Sequence, residues 1–152
     1  MIMDQTIFIK DKIEQLLEAG NIKTSVGVMQ LSDDSFSASI RIDEEAGQFI
    51  GKGGENLEAF EHVIRLVVNK GIERPVRIFV DINNYKERRA AVLRERAREI
   101  ADEVRISGRT ETLEPMSPFE RRIIHLELAG RGDIITESVG ERDERRVVIK
   151  PA

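Results

Sequence analysis

Ile50-Gly51-Lys52-Gly53-Gly54-Glu55-Asn56-Leu57 places three glycines and one lysine in four consecutive positions. Glycine inside a regular element costs about 0.5–1 kcal/mol relative to alanine. A run of this kind therefore reads as a junction between elements where the bare backbone is needed. Two familiar glycine loops are excluded. GxxxxGK[ST] is absent, and the spacing is not G-x-G-x-x-G.

Periodicity on either side gives the junction its context. Residues 4–19 place Ile9, Ile13, Leu16 and Leu17 at helical spacing and stop at Gly20. TSVGVMQL and FSASIRI alternate around the turn SDDS, which predicts an antiparallel hairpin. After the glycines, ENLEAFEHVIRLVVNKG predicts a helix with a core stripe of Leu57, Phe60, Ile64 and Val67, and PVRIFVDI predicts a strand. His62 falls off that stripe and is expected to be exposed.

At Asn83-Asn84 the pattern changes. A long helix follows, with Asn84 as N-cap and Tyr85, Val92, Leu93, Ala97, Ile100 and Val104 facing a core. RTETLEP reads as a strand. SPFERRIIHLELAG reads as a helix with Ser117 as N-cap, Pro118 first inside and Glu120 completing a capping box. Two strands around the polar turn GERDE end the chain. The expected fold is α+β in two modules, residues 1–82 and 83–152, ordered αββ-loop-αβ and then αβαββ.

Charge separates the modules further. Net charge is −4, which by itself disfavours a polyanionic partner. Residues 1–83 carry 5 Lys and 4 Arg, whereas residues 84–152 carry 2 Lys and 13 Arg, and residues 84–109 have 8 basic against 5 acidic side chains. Arginine's planar fork suits phosphate. There is no cysteine, hence no disulfide and no thiolate chemistry. No apolar run reaches the length of a membrane span and the N-terminus lacks a signal-peptide pattern, so no membrane insertion and a cytoplasmic location are expected.

The glycine loop opens a helix, where unpaired backbone N–H groups and a partial positive charge meet. Bare glycines admit a sugar–phosphate backbone, and Lys52 adds a cation. Ile50, Gly51, Lys52, Gly53 and Gly54 resemble the GxxG loop of a KH domain, which clamps single-stranded nucleic acid. With the hairpin before it and the helix and strand after it, the first module resembles the type II KH arrangement, αββααβ on a three-stranded sheet. In the second module Arg121 and His125 are four apart on one helical face. They resemble the R-x-x-x-H signature of the R-3-H domain, a small single-stranded nucleic-acid binder with helices on a three-stranded sheet.

LEPMSPFERRIIH (113–125) and the junction NNYKERR (83–89) are similar to segments of the bacterial Jag family, in which a KH domain leads directly into an R-3-H domain. The resemblance covers about residues 4–150. It implies a single-stranded RNA-binding protein without catalytic residues, metal or cofactor, with single-stranded DNA as a second ligand and a regulatory role after transcription or at the cell envelope. The implied contacts are Ile50 and Gly51–Gly54, then Arg121, Arg122 and His125. Arg89 and Arg96, seven apart, would extend the basic track. Jag proteins commonly carry a further small N-terminal domain, for which this sequence has no room, and often a basic residue where Gly53 stands. The first departure counts against functions that depend on that domain, such as docking at the cell envelope, and the second shifts the expected phosphate work toward the second module. The alternatives are a protein-interaction module of division or envelope control, and a nuclease using His125. Only two histidines are present, and no carboxylate cluster has metal-binding spacing.

Overall fold

The structure, a computed structural model, describes residues 4–152. Two compact units divide between Lys86 and Glu87. In the first, Asp4 caps helix α1 (Gln5–Ala19), its carboxylate accepting from Thr6 N at 3.0 Å. Strands β1 (Thr24–Ser32) and β2 (Ser35–Ile42) form the antiparallel hairpin. The chain then runs through the short helix α2 (Ala46–Ile50), a tight turn at Lys52–Gly54 and helix α3 (Glu55–Asn69), and returns as strand β3 (Arg77–Ile82). β3 lies beside β2 and parallel to it, with Phe36 opposite Ile78 and Ala38 opposite Val80. A parallel neighbour needs a crossover, and the α2–α3 segment supplies it.

The alternation of β2 and β3 sends Phe36, Ala38, Ile40, Ile42, Ile78, Val80 and Ile82 into one core with Ile9, Ile13 and Leu17 of α1 and Leu57, Ile64 and Val68 of α3. Each large side chain in it is worth about 1.5–3 kcal/mol on burial. Val68, four residues beyond Ile64, takes the place that the sequence pattern assigned to Val67. Three side chains close backbone gaps at the sheet. Asn69 bonds both N and O of Val76, Asn83 bonds both N and O of Ile42, and Glu61 accepts from Val80 N on the edge strand.

The second unit is built on helix α4 (Tyr85–Ser107), whose first two residues belong to the first unit. Ala90, Leu93, Ala97, Ile100, Ala101 and Val104 are buried along it. Val92, expected in that stripe, is 56% exposed, because it sits about 100° around the helix from Leu93. Asn84 has a left-handed backbone (φ 57°), not the extended conformation of an N-cap, and Asp81 instead accepts from Lys86 N. Strands β4 (Glu111–Thr112), β5 (Ile134–Val139) and β6 (Arg146–Pro151) form an antiparallel sheet ordered β4-β6-β5. β4 is shorter than the sequence suggested. The ladder continues only as Leu113 N to Val147 O and Met116 N to Arg145 O, and Pro115 between them has no N–H to donate. Helix α5 (Pro118–Leu128) buries Ile123, Ile124 and Leu128 with Val147 and Ile149 of β6, and its capping box is present as expected. No helix among the described residues is long and apolar enough to cross a membrane.

Candidate nucleic-acid interface

The glycine loop is shaped from within. Gly51, Gly53 and Gly54 all have positive φ, at 72°, 62° and 85°, a region that costs other residues about 1–2 kcal/mol. A Cβ on Gly51 would lie 2.7 Å from Asn56 Cγ, and one on Gly54 would lie 3.1 Å from Tyr85 Cε1. Asn56 is itself tied back, donating Nδ2–H to Gln48 O at 2.8 Å. Two of the three glycines are thus bare because the chain's own side chains occupy the space, in addition to any approach by a ligand. Ile50 is buried and anchors α2, whereas Lys52 is exposed and has no ion-pair partner among the described residues. Glu55 and Glu58 in the first turn of α3 oppose the attraction of its N-terminus for anions. Backbone donors and Lys52 are left as the loop's means of holding a phosphate.

In the second unit the signature side chains turn inward. His125 Nδ1 lies 2.8 Å from Thr136 Oγ1 and its Nε2 lies 2.8 Å from Ser138 Oγ, both hydroxyls on β5. Burial, and then the nearby Arg121 charge, push its pKa below the ordinary histidine value. Arg121 donates Nη1–H to Met116 O at 2.7 Å, pinning the segment before α5. Arg89 donates Nε–H at 2.8 Å to Glu120, which is 2% exposed and whose other oxygen accepts from Ser117 N. The capping box that starts the R-x-x-x-H helix is therefore locked to α4 by the arginine read from sequence as a nucleic-acid contact. Arg96 is exposed and donates to Glu99 at 3.2 Å.

The same accounting runs through the arginine-rich half. Arg94 and Arg98 both reach Glu127 on α5, and Arg131 bridges Asp102 and Asp133. Arg131 holds the Asp133 carboxyl down at about 2. Among the described residues Arg109, Arg122, Arg142 and Arg145 make no ion pair and are exposed. Arg122 was expected at the interface; Arg145 was not. The bond from Met116 N to Arg145 O brings the start of β6 beside the segment that Arg121 holds, a proximity that no sequence spacing signals. Thr136 and Ser138 escaped the sequence reading for the same reason. Among the described residues no group of three or more His, Cys, Asp or Glu side chains could hold a metal ion.

Residues 91–151 match the family model of the R-3-H domain. The chain is 36% identical over 138 residues to the RNA-binding protein KhpB of Clostridium symbiosum, covering 90% of this chain and 62% of that one. It is 37% identical over 108 residues to KhpB of Bacillus subtilis (70% and 52%) and 37% identical over 103 residues to KhpB of Lactiplantibacillus plantarum (68% and 32%). The chain thus spans between about a third and about three-fifths of the length of these relatives.

Proposed function

We propose that this chain, which belongs to the Jag family of paired KH and R-3-H domains, binds single-stranded RNA. The observation that carries the reading is the glycine loop. Three left-handed glycines lead directly into the N-terminus of α3, and an exposed Lys52 sits between them. That is a backbone cradle for a phosphate, with one cation to attract it. The relatives named as RNA-binding proteins match across both units, which supports extending their ligand to this chain. In this reading the KH domain spans residues 1–82 and the R-3-H domain residues 83–152.

The roles divide by accessibility. Lys52, the backbone of Gly51–Gly54, and Arg122 and Arg145 meet the sugar–phosphate chain. Arg121, with the N–H groups not directed at Met116, contributes a further donor. His125, Arg89 and Ile50 hold the surfaces on which those groups stand. Binding without catalysis, in the cytoplasm, is the activity proposed; protein partners in envelope control would act through the same protein but are not needed for it.

Titration with labelled single-stranded RNA at several salt concentrations tests the reading. Affinity should fall linearly in log–log form as phosphate contacts release counterions. Lys52→Asp with Gly53→Asp should weaken binding by about tenfold or more while the urea-unfolding midpoint stays close to that of the parent, since charge at the loop repels phosphate. Unchanged affinity would remove the KH loop from the interface. RNA cleavage that disappears in His125→Ala would replace binding by nuclease activity.

A further inference from the structure

We propose that Tyr85 is a positioning residue of the glycine loop: its ring braces Gly54 and holds the Gly51–Gly54 backbone in the conformation that presents those of its N–H groups that are not bonded within it. The functional consequence rests on the RNA-binding reading; the brace itself does not. Tyr85 is the chain's only tyrosine and the first residue of α4. It is partly buried and packs against the core of the first unit. Its Cε1 and hydroxyl oxygen would stand 3.1 Å and 3.7 Å from a Cβ on Gly54, so the ring edge already fills the space beside that α-carbon. Gly54 is buried, left-handed at φ 85°, and is the residue from which α3 departs.

The ring is held on both sides in sequence. Two residues before it, the Asn83 side chain grips Ile42 N and O at 2.9 and 2.8 Å. Immediately after it, Lys86 N donates to the Asp81 carboxylate, and Lys86 Nζ pairs with Glu61 of α3 at 3.2 Å. Tyr85 is thereby fixed to the end of the sheet and to the helix that the loop opens. On its other side the loop is held by buried Ile50, by Asn56 against Gly51 and by a few short backbone bonds. Its internal bonds are Gly51 N to Gly47 O, Gly54 N to Gly51 O at 3.3 Å, and Glu55 N to Lys52 O. Glycines gain the most backbone entropy when released. A rigid ring against Gly54 removes that freedom before any ligand arrives, which lowers the ordering cost of binding.

The test is amide hydrogen exchange by NMR in the RNA-free protein, comparing the parent with Tyr85→Phe, Tyr85→Ala and Tyr85→Leu, the last keeping bulk should the alanine variant fold poorly. The amides of Gly51, Gly54 and Glu55 report the loop, and that of Ala38 in the central strand reports global opening. In Tyr85→Ala and Tyr85→Leu, loop exchange should accelerate by about tenfold relative to Ala38, through local opening alone. Tyr85→Phe, which keeps the ring, should stay closer to the parent than either. A parallel titration with labelled oligouridylate should show weaker binding by the Ala and Leu variants, with the Phe variant binding more tightly than either. Equal acceleration of loop and strand amides would mean that Tyr85 merely stabilises the fold, and would overturn the brace. Unchanged loop exchange with weakened binding would make Tyr85 a direct contact, which also overturns it. Failure of the parent to bind oligouridylate would count against RNA binding, while the exchange data would still decide the brace.

Discussion

The glycine loop and the R-x-x-x-H helix are the two regions that carry recognisable signatures, and they use their signature residues in opposite ways. In the loop the cation faces outward, and the glycines accommodate Asn56 and Tyr85 from within. In the helix both named side chains are engaged internally, Arg121 with Met116 O and His125 with two hydroxyls of β5. One signature marks a surface together with its support. The other marks mostly the support, with the accessible cations one residue along the helix at Arg122 and at Arg145, whose backbone O accepts from Met116 N. The difference shows that a motif's spacing reports which residues are constrained, and that burial decides what constrains them.

The comparison breaks most severely at Glu120. Glu120→Ala should cost about 3 kcal/mol in urea unfolding, through loss of the capping box and of the buried partner of Arg89. A change under about 1 kcal/mol would mean that the R-x-x-x-H helix does not depend on its anchor. Gly54→Ala should cost about 2 kcal/mol, since φ is positive and the Tyr85 ring stands in the way. Replacing His125 by Gln tests the inward-facing signature. The folded-state pKa of this histidine lies below 6.5 and the unfolded one does not. As pH falls through 6.5 the unfolded chain therefore takes a proton that the folded chain resists, and stability drops. That drop should be smaller in His125→Gln, which should itself lose about 1–2 kcal/mol at pH 8 with its two hydrogen bonds.

The surface side of the comparison predicts smaller effects. Arg122→Ala should leave the unfolding midpoint unchanged, weaken RNA binding about threefold to tenfold and shrink the log–log salt slope by about 1, as loss of one phosphate contact requires. Gly47→Ala, four residues before Gly51, should stabilise by about 0.5 kcal/mol, because Gly47 is helical and a Cβ there meets nothing within 4 Å. Destabilisation by Gly47→Ala would show that the loop's glycines are not distinguished by their backbone conformation.

The order of elements was legible because apolar periodicity is local. Ile9, Ile13 and Leu17 announce α1, and Ser117, Pro118 and Glu120 announce the start of α5 with its capping box intact. Two errors came where local rules leave a choice of face. Val67 and Val68 differ by 100° on α3, and Val92 and Leu93 by the same angle on α4; the core contacts select Val68 and Leu93. At the candidate site, residue type and spacing located Gly51–Gly54, Arg121 and His125, but the partners that define their roles lie far along the chain. Gly54 meets Tyr85, Arg89 meets Glu120, and His125 meets Thr136 and Ser138.

Two α+β modules, a loop that must adopt left-handed conformations and a capped helix carrying an arginine and a histidine on one face follow from the amino-acid order alone, since each depends on neighbours within a few positions. Which arginines remain accessible was decided by tertiary structure. A guanidinium is attracted to whatever carboxylate the fold brings near it, and the fold brings Glu120 to Arg89, Glu127 to Arg94 and Arg98, and Asp102 and Asp133 to Arg131. Charge counted along the sequence cannot foresee those pairings, because the distances that govern them are set by packing.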